Sequence, residues 1–140
     1  VEAPKSPQSV GWYTFLMAEE PPKQDRAPRA HSGIIRIDET DEFVREGFTG
    51  HVYLKNDEGA GFGALEVRVL DSHPEKVVPV ESRAYIVIEG SGEFTIDGVK
   101  QVVNKGDMVL LRKGTTYSYK GYGRGSMKLF EVNIPLATEE

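Results

Sequence analysis

The chain has 140 residues, with 17 Lys and Arg against 22 Asp and Glu, a net charge of −5, three histidines and no cysteine. That length suits one domain with a core of its own, and the lack of cysteine excludes disulfides, thiol nucleophiles, iron–sulfur clusters and cysteine-ligated zinc. The acidic balance argues against nucleic acid as a partner, because phosphate contacts need clustered Lys and Arg, and no stretch nears the roughly 20 apolar residues that cross a bilayer.

Residues 1–11 are polar, carry two prolines and read as an arm. They lack both an initiator Met and the apolar core of a signal peptide, so the chain reads as trimmed, processed or renumbered, and a cytoplasmic, membrane-free protein is expected. WYTFLM (12–17) reads as a strand. AEEPPKQDRAPRAHSG (18–33) has three prolines and no periodicity and reads as a long surface loop, a type usually functional or disordered. Short strand-like runs follow: IIRI (34–37), EFVRE (42–46), HVYLK (51–55), ALEVRVL (64–70), KVVPV (76–80), RAYIVIE (83–89), EFTID, VKQVV (99–103), DMVLLR (107–112), TTYSY (115–119) and MKLFEVNI (127–134). Several alternate with period two, as strands with one buried face do. Asp97-Gly98 between two such runs signals a hairpin with a type I′ turn. No window carries a helical stripe. The pattern is all-β, a sandwich or barrel over 34–136, with 1–33 as an N-terminal extension of the same domain.

RAYIVIEGSGEFTIDGVKQVVNKGDMVLLRKGTTYSY (83–119) resembles the paired motifs of the cupin superfamily, the RmlC-like barrels. IEGSGEFTIDG fits the end of the first motif. Gly106 and Gly114 fit the second, with ALEVRVL and MKLFEVNIP as flanking strands. The resemblance implies a double-stranded β-helix, or jelly-roll, barrel. It also implies a homodimer. In metal-binding members two histidines and a glutamate of the first motif and a histidine of the second hold a divalent ion. Here the glutamate position falls on Arg83 and the second-motif histidine on Tyr117. The remaining two fall near Lys76 or Val77 and near Val78 or Pro79. Arg has no lone pair to offer and keeps its proton, so no metal and no other cofactor is expected. A rearranged set of His51, His73 and Glu81 is the alternative.

Residues two apart on a strand share a face. If Arg83 and Tyr117 point inward, the barrel is lined by Arg83, Tyr85, Tyr117 and Tyr119, with Glu81, Tyr53 and His51 as further candidates. Aromatic faces, hydroxyls and one guanidinium suit a small carbohydrate-like or anionic ligand. The plainer alternatives pair Arg83 with Glu81, Glu66 or another carboxylate and make the tyrosines core filler. An isomerase or epimerase acting on a sugar or nucleotide-sugar would need Tyr117 as acid, ionising readily only beside a cation, and His51 or His73 as base. A dioxygenase-like metalloenzyme would need non-standard ligands. His73-Pro74 reads as the start of a turn, GYGRGS (121–126) as a flexible turn, and Asp38, Glu39, Asp41 and Glu42 as a solvated turn. The strand 84–88 is apolar on both faces, which calls for cover on both sides, from WYTFLM or a partner.

Overall fold

The computed structural model describes residues 31–79 and 81–135, with Glu81 described for its backbone only. The WYTFLM segment and nearly all of the Pro-rich loop lie outside the described residues. Ten strands follow a short 3-10 turn at Ile37–Glu39: β1 (Asp41–Val44), β2 (Phe48–Leu54), β3 (Gly63–Val69), β4 (Ser72–Val77), β5 (Glu81–Glu89), β6 (Ser91–Ile96), β7 (Val99–Asn104), β8 (Met108–Leu111), β9 (Thr116–Gly121) and β10 (Met127–Pro135). The strands pair antiparallel in two sheets, in the orders β1-β2-β3-β10-β5-β8 and β4-β9-β6-β7. From β3 onward the chain passes repeatedly between the sheets, the winding of a jelly roll, and the expected all-β barrel is the fold observed.

Alternation builds the core. Tyr85 and Val87 of β5, Val67 and Val69 of β3, and Met127 and Leu129 of β10 turn inward from the larger sheet. Phe94, Tyr117 and Tyr119 meet them from the smaller one. The outward residues of β5 and β8 stay apolar: Ile86, Met108 and Leu110 are exposed. Asp97 and Gly98 take φ of 48° and 85°, the positive values a type I′ hairpin needs, and Thr116 N–H donates to Asp97 Oδ1 at 3.0 Å. Gly90, between β5 and β6, has φ 76°, and a Cβ there would lie 2.3 Å from the Ser126 carbonyl oxygen.

Four local expectations need correction. IIRI forms no strand: Thr40 Oγ1 donates to the Ile37 carbonyl at 2.7 Å and closes a 3-10 turn instead. The strand expected at 76–80 begins earlier, at Ser72, so His73-Pro74 lies inside β4, where the pairing with β9 slips between His73 and Lys76. Proline lacks an N–H to give the ladder, and a bulge is where a strand tolerates it. The acidic run is only partly solvated, because Asp41 is buried and faces Lys55 Nζ at 3.7 Å. GYGRGS is tied down: Gly125 N–H donates to the Val69 carbonyl at 2.9 Å, and Arg68 Nη1 donates to the Gly125 carbonyl at 2.6 Å.

Candidate functional site

Three strands aim polar groups at one region of the barrel interior. On β9 the buried positions are Tyr117 and Tyr119. On β5 Tyr85 is buried, and Arg83, two residues earlier, shares its face. On β10 Glu131 continues the inward row of Met127 and Leu129 and stands opposite Tyr85.

Arg83 Nη1 donates to Tyr117 Oη at 2.6 Å. Tyr117 Oη lies 3.3 Å from Tyr85 Oη, a hydrogen bond in which either can donate. Arg83 Nε is 3.9 Å from Glu131 Oε2, an ion pair looser than a direct hydrogen bond. The Arg83 side chain keeps 20% of its surface exposed and Glu131 9%, so the cluster is buried but reaches solvent at its Arg83 end.

His73 enters from β4. Its ring stacks on Tyr119 at 4.7 Å and on Tyr117 at 5.5 Å, with Phe48 at 4.8 Å. Nδ1 lies 2.7 Å from the Pro74 carbonyl. A carbonyl only accepts, so Nδ1 carries the proton and Nε2 the lone pair. Burial pushes the imidazole down from 6.5 to about 4, outweighing the Pro74 hydrogen bond that favours the charged form. His73 is therefore neutral near pH 7. Burial likewise raises Tyr117 above 10, despite the opposing pull of Arg83. The cation expected to ionise Tyr117 is present, yet desolvation wins and the phenol stays protonated. Tyr85 and Tyr119 are held well above the usual phenol range, by burial first and by Glu131 second.

His51 and Tyr53 lie elsewhere. β2 turns Gly50 and Val52 toward the core, which sends its alternate residues outward. His51 Nδ1 lies 3.0 Å from Thr40 Oγ1, and its Nε2 is 3.9 Å from the exposed Glu42. The Tyr53 ring packs against Phe130 at 6.1 Å, and its phenol is raised by burial and by Glu66. Both sit on the outer face of the larger sheet, as does Glu66, which pairs with Lys128 at 3.6 Å. Arg83 pairs instead with Glu131. Glu81 opens β5, and its side chain lies outside the described residues. A separate recess of about 310 Å³ opens on the outer side of the smaller sheet among Ser72, Glu75, Glu93, Lys100 and Lys120, and its wall includes His73 and Tyr119.

The residues at the family's metal positions do not suit a divalent ion. Arg83 offers no lone pair, Tyr117 holds its proton, Val78 is a buried hydrocarbon, and Lys76, Val77 and Pro79 are exposed. The alternative set is not assembled, since His51 and His73 lie on opposite sides of the barrel wall. Among the described residues no three His, Cys, Asp or Glu side chains converge on one point.

Residues 66–133 match the family model for the cupin domain. Solved structures share the fold. The Streptomyces nucleoside dehydratase Pac13, solved with uridine, is 21% identical over 78% of this chain and 87% of that chain, with a TM-score of 0.65. Ectoine synthase from P. lautus is 18% identical over 76% and 80%, with a TM-score of 0.66. The Schizosaccharomyces pombe Cnp3 cupin domain is 16% identical over 72% of each chain, with a TM-score of 0.61. A search of curated protein sequences finds no match. At these identities the likeness is one of fold, and a nucleoside dehydratase, an ectoine synthase and the Cnp3 cupin domain share it, so the reaction does not follow from it. Two sheets wound as a jelly roll, paired motifs at 83–119 and the family match over 66–133 identify a cupin domain in this chain.

Proposed function

We propose that the barrel binds a small, hydroxyl-rich, carbohydrate-like ligand, without a metal, on Arg83, Glu131 and the buried tyrosines. The observation that carries this reading is the 3.9 Å gap between Arg83 Nε and Glu131 Oε2. One hydroxyl oxygen placed about 2.8 Å from each can accept from the guanidinium and donate to the carboxylate at once. A sugar hydroxyl does both. A small carboxylate has no donor for Glu131 and would meet its charge, so of the two ligand classes expected the neutral one fits better. Protonated Tyr85 and Tyr117 add hydroxyl donors. That Pac13 was solved with uridine, whose ribose is such a polyol, supports the choice of ligand class. Thermal-shift screening with monosaccharides, uridine and other nucleosides, nucleotide-sugars and small carboxylates tests it. Stabilisation by a neutral sugar or nucleoside, lost in Arg83→Met, is the expected result. Stabilisation by carboxylates alone refutes it.

A second reading, a sugar or nucleotide-sugar isomerase or epimerase, draws on one observation: His73 stacks on Tyr117 inside the barrel. Tyr117 would give a proton and His73 Nε2 would take one. A base with a midpoint of about 4 is a poor acceptor near neutral pH, which is why binding ranks first. Hydrogen–deuterium exchange at a sugar carbon, followed by proton NMR in heavy water, would establish this second reading. We further propose that the chain forms a homodimer by covering the apolar outer face of Ile86, Met108 and Leu110.

A further inference from the structure

The inner row of β10 does not stop at Glu131. Asn133 follows it and stands opposite Arg83 on β5 and Gly63 on β3. Directly opposed residues of an antiparallel pair share a face, so Asn133 belongs to the same inner surface as Glu131, Tyr85 and Arg83. Its Oδ1 is buried and, among the described residues, has no hydrogen-bond partner. Nearly all buried polar atoms of folded proteins are paired, because an empty acceptor costs free energy.

We infer that Asn133 is the residue with which this site selects its ligand, its Oδ1 accepting a hydrogen bond from a hydroxyl on one side of a single sugar ring while Glu131 accepts from the other. This rests on the binding reading above. Residues two apart on a strand are separated by about 6.7 Å, so Glu131 and Asn133 present two acceptors about one ring apart. Arg83 faces them from the neighbouring strand as a donor. A ligand that fills this arrangement must bring hydroxyls to the acceptors and an oxygen to the guanidinium. A single furanose or pyranose ring does this. A ligand with acceptors only leaves Asn133 as it was.

The test compares wild type, Asn133→Leu, Asn133→Asp and Arg83→Met. Each is titrated calorimetrically with D-ribose, D-glucose, D-galactose and their monodeoxy derivatives, and each is melted without ligand. Leu matches Asn roughly in size and removes the acceptor, while Asp keeps one. Ligand-free Asn133→Leu is expected to melt at or above the wild-type temperature, since deleting an empty acceptor relieves a cost. Wild type is expected to prefer one sugar over one of its deoxy forms by about tenfold, the value of one hydrogen bond. Asn133→Leu should erase that preference and Asn133→Asp should keep it. A Leu variant that melts well below wild type overturns the inference, because the amide would then be bonded within the protein. If Arg83→Met abolishes sugar binding but Asn133→Leu leaves the preference intact, this inference alone falls. If no sugar binds wild type, it falls together with the binding reading.

Discussion

His73 makes the interior network measurable through pH. Its imidazole is buried against Phe48, Tyr117 and Tyr119, and burial lowers its midpoint from 6.5 to about 4. Between those values the unfolded chain binds a proton that the folded chain refuses. The stability that neutral His73 supplies is thus complete above about pH 6.5, falls as the pH drops toward about 4, and changes no further below that. At about 1.4 kcal/mol per pH unit, the gap amounts to about 3 kcal/mol. Carboxylates titrate in the same range, so the control is His73→Phe, which keeps the ring stack and loses the proton site. Loss of the hydrogen bond to Pro74 costs that variant about 1 kcal/mol at every pH, an offset and not a slope. Urea unfolding followed by circular dichroism from pH 7.5 to 4 should show wild type losing about 3 kcal/mol more than His73→Phe. Parallel profiles, or an NMR midpoint for His73 near 6.5, would refute the reasoning.

Arg83→Met removes the cation paired with buried Glu131, and because Arg83 keeps 20% of its side chain in solvent the expected cost is about 3 kcal/mol, the low end for a broken buried pair. The double variant Arg83→Met/Glu131→Leu should recover most of that in urea unfolding; a double variant no more stable than the single one would show that the two are not coupled. Gly98→Ala should cost about 1 kcal/mol, because φ is 85° and no atom lies within 4 Å of the added Cβ, leaving only backbone strain; a neutral result would contradict the hairpin geometry. Leu110→Lys should convert a wild-type dimer into a monomer by analytical ultracentrifugation, and a monomeric wild type would dismiss the proposed homodimer.

Period-two alternation puts Arg83 with Tyr85 and Tyr117 with Tyr119 on shared faces from the sequence, but it does not say which face turns inward; the packing of the two sheets does. The same rule, applied with Gly50 and Val52 as the inward members, sends His51 and Tyr53 outward, away from the Arg83 cluster. Glu131 and Asn133 also carried a signal. In MKLFEVN the carboxylate and the amide continue the Met127 and Leu129 face, and polar groups on a core face mark something paired or functional. That signal was masked because the segment reads so well as a closing strand. His73 was harder. The single-residue slip at Pro74 changes which face follows, and a bulge next to proline looks like a turn from sequence. Burial strength is not legible locally either: whether Arg83 or desolvation governs Tyr117 depends on how tightly four strands from two sheets close around it.

On the reading proposed above, Arg83, Glu131 and the tyrosines form a metal-free site for a neutral polyol. Calorimetric titration of chelator-free protein with the sugar or nucleoside that gives the largest thermal shift tests it most directly, with wild type and Tyr117→Phe/Arg83→Met measured side by side. Saturable one-to-one binding by wild type, unchanged by added EDTA and at least tenfold weaker in the double variant, is the predicted result. Binding that EDTA abolishes, or that survives the loss of both Arg83 and the Tyr117 hydroxyl, would contradict it.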